Sequence, residues 1–148
     1  MEISQNIDLQ NLDNYISLSL SFTNDYWSDD GILHAHDLIS KLTDESWNKL
    51  TDFWQLKDNE WISRLAAILP FGDQESAAKI LYEIVISTQS SNNLKTLALD
   101  SLRDTDIHML EKKELNRLLD EIEMCRKWSS PIEHSILDLL KKYIKEVK

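Results

Sequence analysis

The chain has 148 residues, 42% of them apolar, and a formal net charge of −10. That length and apolar content predict a single domain, 1–148, able to bury its own core without disulfides or a metal. The acidity disfavours direct binding to nucleic acid or an anionic membrane surface, and no apolar run approaches the length of a membrane span.

Two glycines and two prolines are too few for the turns of a β-fold or for a phosphate-cradling loop, so the bias is towards helix. From Asp8 to Phe22 two patterns compete: Leu9, Leu12, Ile16 and Leu20 at helical spacing, or Ile16, Leu18, Leu20 and Phe22 alternating with serines as in a strand. A lone strand would have no partner in this chain, so a helix capped by Asn6 or Asp8 is expected. Asn24 to Gly31 is turn-like and acidic, and is expected to be a loop ending in a cap at Ser28 or Asp29. The next helix, to about Leu42, should bury Ile32, Ala35, Ile39 and Leu42 and turn Asp30, His34, Asp37 and Lys41 outward. Thr43 or Asp44 then caps a helix to about Leu56, with Trp47, Leu50 and Trp54 on one face and Glu45, Lys49 and Asp52 on another.

The longest apolar region follows, from Glu60 to Ser87. Ile62, Leu65, Ala66 and Leu69 form one helical stripe behind an Asp58 cap; past Pro70-Phe71-Gly72, Asp73 caps a second helix carrying Ala77, Ile80, Leu81 and Ile84. Ala78, Tyr82, Val85 and Ile86 widen that stripe until mainly Lys79 and Glu83 are left for water, so this helix is expected at the centre, buried on most sides. Leu94, Leu97, Ala98 and Leu102 mark another helix, Asp104 to Glu111 a loop or short turn, and Leu115, Leu118, Leu119 and Ile122 the helix after it. Ser130-Pro131-Ile132-Glu133 is a start signal for the last, whose core face is Ile136, Leu137, Leu140 and Ile144, with Lys141, Lys142, Lys145 and Lys148 complementing its dipole.

First helices starting near 32, 59, 93 and 131 thus alternate with second helices near 44, 73 and 112. The pattern predicts an all-α fold, an irregular, right-handed HEAT- or armadillo-like stack of about seven to eight helices, with a plain helical bundle as the alternative.

Chemistry-bearing patterns are sparse. His34 and His36 are two apart, about 200° around a helix, so they cannot grip one ion. No serine has a glycine-flanked elbow, and Cys125, the one cysteine, sits among helix formers without a nearby histidine, which suits a structural thiol in a reducing, cytoplasmic setting. No lysine or arginine precedes Lys41, which argues against a positively charged leader. No catalytic residue, metal site or cofactor is predicted. Charge is the informative feature: residues 1–76 hold fourteen acids and four bases, an excess of ten, and residues 77–148 hold twelve of each. Trp27, beside Tyr26 and between Asp25 and Asp29, combines an aromatic anchor with charge, as binding hot spots do; the competing assignment has it folding back to seal the first two helices.

The small size, the acidic balance, the absence of a catalytic motif and the helix pairs exemplified by Glu60-Trp61-Ile62-Ser63-Arg64-Leu65-Ala66-Ala67-Ile68-Leu69 resemble helical bacterial immunity proteins, including those of contact-dependent growth inhibition (CdiI type). The resemblance implies a cytoplasmic protein that binds a cognate basic toxin domain, often a nuclease and here expected to be a ribonuclease, by occluding its active site. On that expectation the partner-binding residues are Asp25, Trp27, Asp29, Asp30, Asp37, Glu45 and Asp52. The alternative is a general HEAT-like adaptor using a similar acidic face; a helical metal-dependent hydrolase is a third class.

Overall fold

The computed structural model of the protein describes residues 6–147. Most helices begin at a side chain that accepts a hydrogen bond from an otherwise orphaned backbone N–H. Asn6 opens α1 (Ile7–Ser19), Thr23 opens α2 (Asn24–Tyr26), and a π-helical turn (Trp27–Gly31) carries the chain directly into α3 (Ile32–Ser40). Thr43 opens α4 (Asp44–Phe53), which tightens into a 3-10 turn at Trp54–Leu56. Asp58 opens α5 (Asn59–Ile68), Asp73 opens α6 (Gln74–Ile86) and Ser91 opens α7 (Asn92–Leu102). Reciprocal capping boxes, Glu111 with Glu114 and Ser130 with Glu133, start α8 (Lys112–Cys125) and α9 (Pro131–Val147). Short 3-10 turns at Leu69–Phe71 and Ile107–Met109 complete the path.

The fold is all-helical, with no strand among the described residues. The helical choice at the N-terminal segment holds, with Asn6 as the cap. The helix stops at Ser19, however, so Leu20, expected on its core stripe, is exposed and Phe22 is half-buried. The expected loop at Asn24 to Gly31 is helical instead, and Ser28 and Asp29 lie inside it rather than capping anything. Lys148 lies outside the described residues; Lys145 occupies the last turn of α9.

Two rows of helices account for the packing. In one, α3 lies against α5, α5 against α7 and α7 against α9; in the other, α4 lies against α6 and α6 against α8. The contact between α6 and α7 is the most extensive in the molecule and joins the rows. On α6, Ala77, Ala78, Ile80, Leu81, Tyr82, Ile84 and Val85 are all buried, and only Glu75, Lys79 and Glu83 are exposed. Each large apolar side chain withdrawn from water in this way contributes about 1.5–3 kcal/mol, so this one helix anchors both rows. The position expected for it from its sequence is the one it has.

Polar ties fix the connectors to the rows. The Asn59 amide donates to the Gln89 carbonyl (3.3 Å) and accepts from Ser91 N (3.1 Å), holding the α6–α7 connector against the start of α5. The Ser46 hydroxyl donates to the cap residue Asn6 (2.9 Å), joining α4 to α1, and the Tyr143 hydroxyl donates to the Thr105 carbonyl (3.0 Å), joining α9 to the α7–α8 connector.

At the turn between α5 and α6 the backbone passes close beneath Trp47. A methyl group at Gly72 would stand 2.7 Å from the ring carbon Cη2 and nearer still to Cζ2. Gly72→Ala must therefore displace a buried indole, and urea unfolding should show a loss of about 1–3 kcal/mol; an unchanged midpoint would contradict this packing.

Candidate partner-binding surface

The segment expected to be an acidic loop is a helical ridge because Trp27 belongs to the core. Its side chain is only 8% exposed, and the Arg64 guanidinium from α5 lies 4.3 Å from its ring centroid, a cation–π arrangement that also lets the arginine stem cover the ring. Gly31 passes under the same ring: a Cβ there would lie 3.1 Å from Trp27 Cε3 and 3.2 Å from Phe22 Cδ2. The π-helical turn Trp27–Gly31 brings both residues inward at once.

With Trp27 pointing in, its neighbours point out. Asp25 on α2, Asp29 and Asp30 on the π-helical turn and Asp37 on α3 are all exposed, so of the five expected residues on this continuous helix four face outward and Trp27 alone faces in. Glu45 and Asp52 are also exposed but lie on α4, in the other row. The structure thus brings together Asp25, Asp29, Asp30 and Asp37, separates Glu45 and Asp52 from them, and withdraws Trp27 beneath Arg64. Asp37 pairs with Lys41 (3.0 Å) and Glu45 with Lys49 (3.4 Å), both within a helix turn. Asp25, Asp29, Asp30 and Asp52 have no basic partner among the described residues, so their charge is offered to solvent or to a ligand.

The aromatic group at the surface is Tyr26, 49% exposed. Its ring meets Phe22 edge-on at 4.8 Å, Phe22 meets Tyr15 at 5.9 Å, and Tyr15 meets His34 at 4.3 Å. Leu18 and Leu33 add exposed apolar area on α1 and α3. A shallow groove of about 370 Å³ runs between those helices past Asn11, Tyr15, His34 and Leu38. Burial, with smaller contributions from Tyr26 and Asp30, pushes the Tyr15 hydroxyl above its ordinary pKa, so it remains a neutral donor and acceptor at physiological pH. An apolar and aromatic strip edged by unpaired carboxylates is the composition of a protein-binding surface, with aromatic anchors inside and charge at the rim.

Tyr15, Leu18, Phe22, Tyr26 and Leu33 were not legible as site residues. Tyr26 adjoins Trp27, and only the decision about which of the two faces inward reveals it; Tyr15 and His34 meet through the packing of α1 on α3, which no local spacing encodes.

The other chemistry-bearing side chains have separate surroundings. His36 stacks on Phe71 at 4.0 Å while His34 turns to Tyr15, so the two imidazoles face different elements. Cys125 is buried on α8, and burial raises its thiol pKa, which disfavours the reactive thiolate. Compared with protein-family models, curated proteins and solved structures, the chain matches none.

The inward and outward assignment of the adjacent aromatic pair is directly measurable. Trp27→Ala should cost about 3–5 kcal/mol in chemical denaturation, whereas Tyr26→Ala should cost about 1 kcal/mol, mainly the edge contact with Phe22. Equal losses would contradict the burial of Trp27.

Proposed function

We propose that the protein is a cytoplasmic immunity-type protein that binds a basic toxin domain, a ribonuclease in the reading favoured here, and neutralises it by covering its active site. The observation that carries the proposal is the ridge at Asp25, Asp29 and Asp30: three carboxylates without a basic partner among the described residues, set around the exposed Tyr26. A ribonuclease cleft must be cationic to hold phosphates, and a rigid row of carboxylates can occupy such a cleft in place of RNA. Steering by opposite charge accelerates the encounter, and close charge pairs in the contact add affinity while rim pairs mainly affect the rate. Tyr26 supplies the apolar anchor that charge alone lacks.

In this reading the two rows of helices form an irregular, right-handed HEAT-like stack, a rigid support that presents the ridge without a folding step on binding. A pre-ordered surface avoids the entropy of ordering a loop, which favours the slow dissociation that protection from a toxin requires.

The test is binding of the purified protein to the product of the gene beside its own, by calorimetry at two salt concentrations. The expected result is a single basic partner, tight binding that weakens as salt rises, and a loss of about 2 kcal/mol or more, roughly thirtyfold in affinity, in Asp29→Lys/Asp30→Lys and in Tyr26→Ala. Unchanged affinity in both variants would move the interface elsewhere on the molecule. A partner without a basic surface would favour the general adaptor.

A further inference from the structure

One cation of the acidic half stands apart from the others. Residues 1–76 hold four basic side chains, and three of them are neutralised within the fold: Lys41 by Asp37 at 3.0 Å, Lys49 by Glu45 at 3.4 Å and Lys57 by Asp13 at 3.0 Å. Arg64, the fourth, forms no ion pair among the described residues, although fourteen acids share that half of the chain. Its guanidinium is held by the face of the Trp27 ring and by one long bond, from Nη2 to the Ser19 carbonyl at 3.4 Å. Glu60, one turn earlier on α5, has the spacing to pair with it, yet the two make no salt bridge, and Glu60 is exposed.

A guanidinium carries five N–H donors in a planar fork that matches a carboxylate. One bond and a ring face leave most of that fork unused. Arg64 is half-buried, and burial lowers its pKa, with the Glu60 charge opposing the shift. It remains a cation at physiological pH, but one that has given up water without gaining a counterion, which costs free energy until an anion is supplied.

The surroundings define what carries that anion. Arg64 borders a pocket of about 450 Å³ between the end of α1, α5 and α7. Trp27, on which the guanidinium lies, and Leu20, next to the carbonyl it bonds, are both walls of this pocket, so the charged end of the side chain is at the wall and not its stem alone. Leu20, Phe22, Ala67 and Leu97 make the remaining lining largely apolar, and Glu60 is its one carboxylate.

We propose that this pocket receives a carboxylate presented beside an apolar side chain on a protein partner, as in a leucine-aspartate pair, with the carboxylate on the Arg64 fork and the apolar group against Leu20 and Leu97. The rim is open at the exposed Leu20 and Glu60, and Asn24 and Trp27 carry the pocket wall directly into the acidic ridge. A ligand seated here therefore continues over the surface around Tyr26, which suits a protein segment better than a free acid. The proposal rests on the toxin-binding reading only for the presence of a partner at the ridge, and it deepens that reading: a partner must match the ridge with positive charge and Arg64 with one negative charge, which separates a cognate surface from one that is merely cationic.

The probe is the acetylated, amidated peptide Gly-Leu-Asp-Gly, with Gly-Leu-Asn-Gly as its neutral control and isocaproate as a free acid, each titrated into the ¹⁵N-labelled protein at constant ionic strength. The readout is the Arg64 Nε–H cross-peak, assigned by its loss in Arg64→Lys. The expected result is a saturable shift with the aspartate peptide and little response to the asparagine peptide. Affinity should rise several-fold in Glu60→Gln, which removes the nearest competing carboxylate, and fall several-fold in Leu20→Asp, which places one on the rim; both positions are exposed, so neither variant depends on disturbing the core. A peak that stays in place, that moves equally with both peptides, or whose titration is the same in both variants overturns the proposal, and a shift with isocaproate but not with the peptide overturns the protein source. A shift with the peptide but no basic protein partner would overturn the toxin reading alone; a tight basic partner that leaves the Arg64 peak unmoved would overturn the pocket assignment alone.

Discussion

The burial of α6 on nearly all sides is the constraint on which the rest depends. Ile80, Leu81, Ile84 and Val85 are inaccessible to water, and the helix touches α4, α7 and α8 together. Its two exposed residues in mid-helix, Lys79 and Glu83, look out through the gap between α4 and α8, into a cleft walled by Thr51, Met109 and Glu114. A helix so placed cannot shift without moving both rows, because close-packed interiors transmit displacements rather than absorb them. The acidic ridge, three helices away, is tied to this same packing through α7, α5 and α3.

At the ridge the decisive contact is smaller: Trp27 under the Arg64 guanidinium, with Gly31 beneath the ring. It converts a polar, turn-like sequence into a continuous helix and, by turning the indole inward, leaves Asp25, Tyr26, Asp29 and Asp30 outward in a fixed arrangement. The same residues in a loop would have to be ordered on binding, with a loss of affinity for each side chain immobilised. Of the two assignments open for Trp27, its burial agrees with the one in which it folds back on the core, and there it fixes the outward placement of Tyr26.

How much was legible in the chain follows from how local each signal is. Caps at Asn6, Thr43, Asp58 and Asp73, the Ser130–Glu133 box and the wide apolar stripe of Ala77 to Ile86 are encoded within a few residues, and these helices were placed nearly to the residue. Asn24 to Gly31 has the polar, glycine-ended composition of a turn, while its helix is held by packing of Trp27 and Gly31 against Arg64, distant in sequence, and against Phe22, just upstream. Leu20 failed for the complementary reason: its spacing fits the α1 stripe, but the helix ends one residue earlier. Of the site, the acidic character and its concentration in the first half were readable, whereas the Tyr15–Phe22–Tyr26 chain of rings is a product of tertiary packing.

The central claim is that the acidic ridge is preformed helix held down by Trp27, and residue-resolved amide hydrogen exchange of the free protein tests it most directly. The account predicts α6 amides that exchange only on global unfolding, and protection at Gly31 and Ile32 comparable with that in the body of α3, as expected of hydrogen-bonded backbone on a buried anchor. Exchange across Trp27 to Ile32 at the rate of an unstructured loop, with α6 still protected, would contradict it.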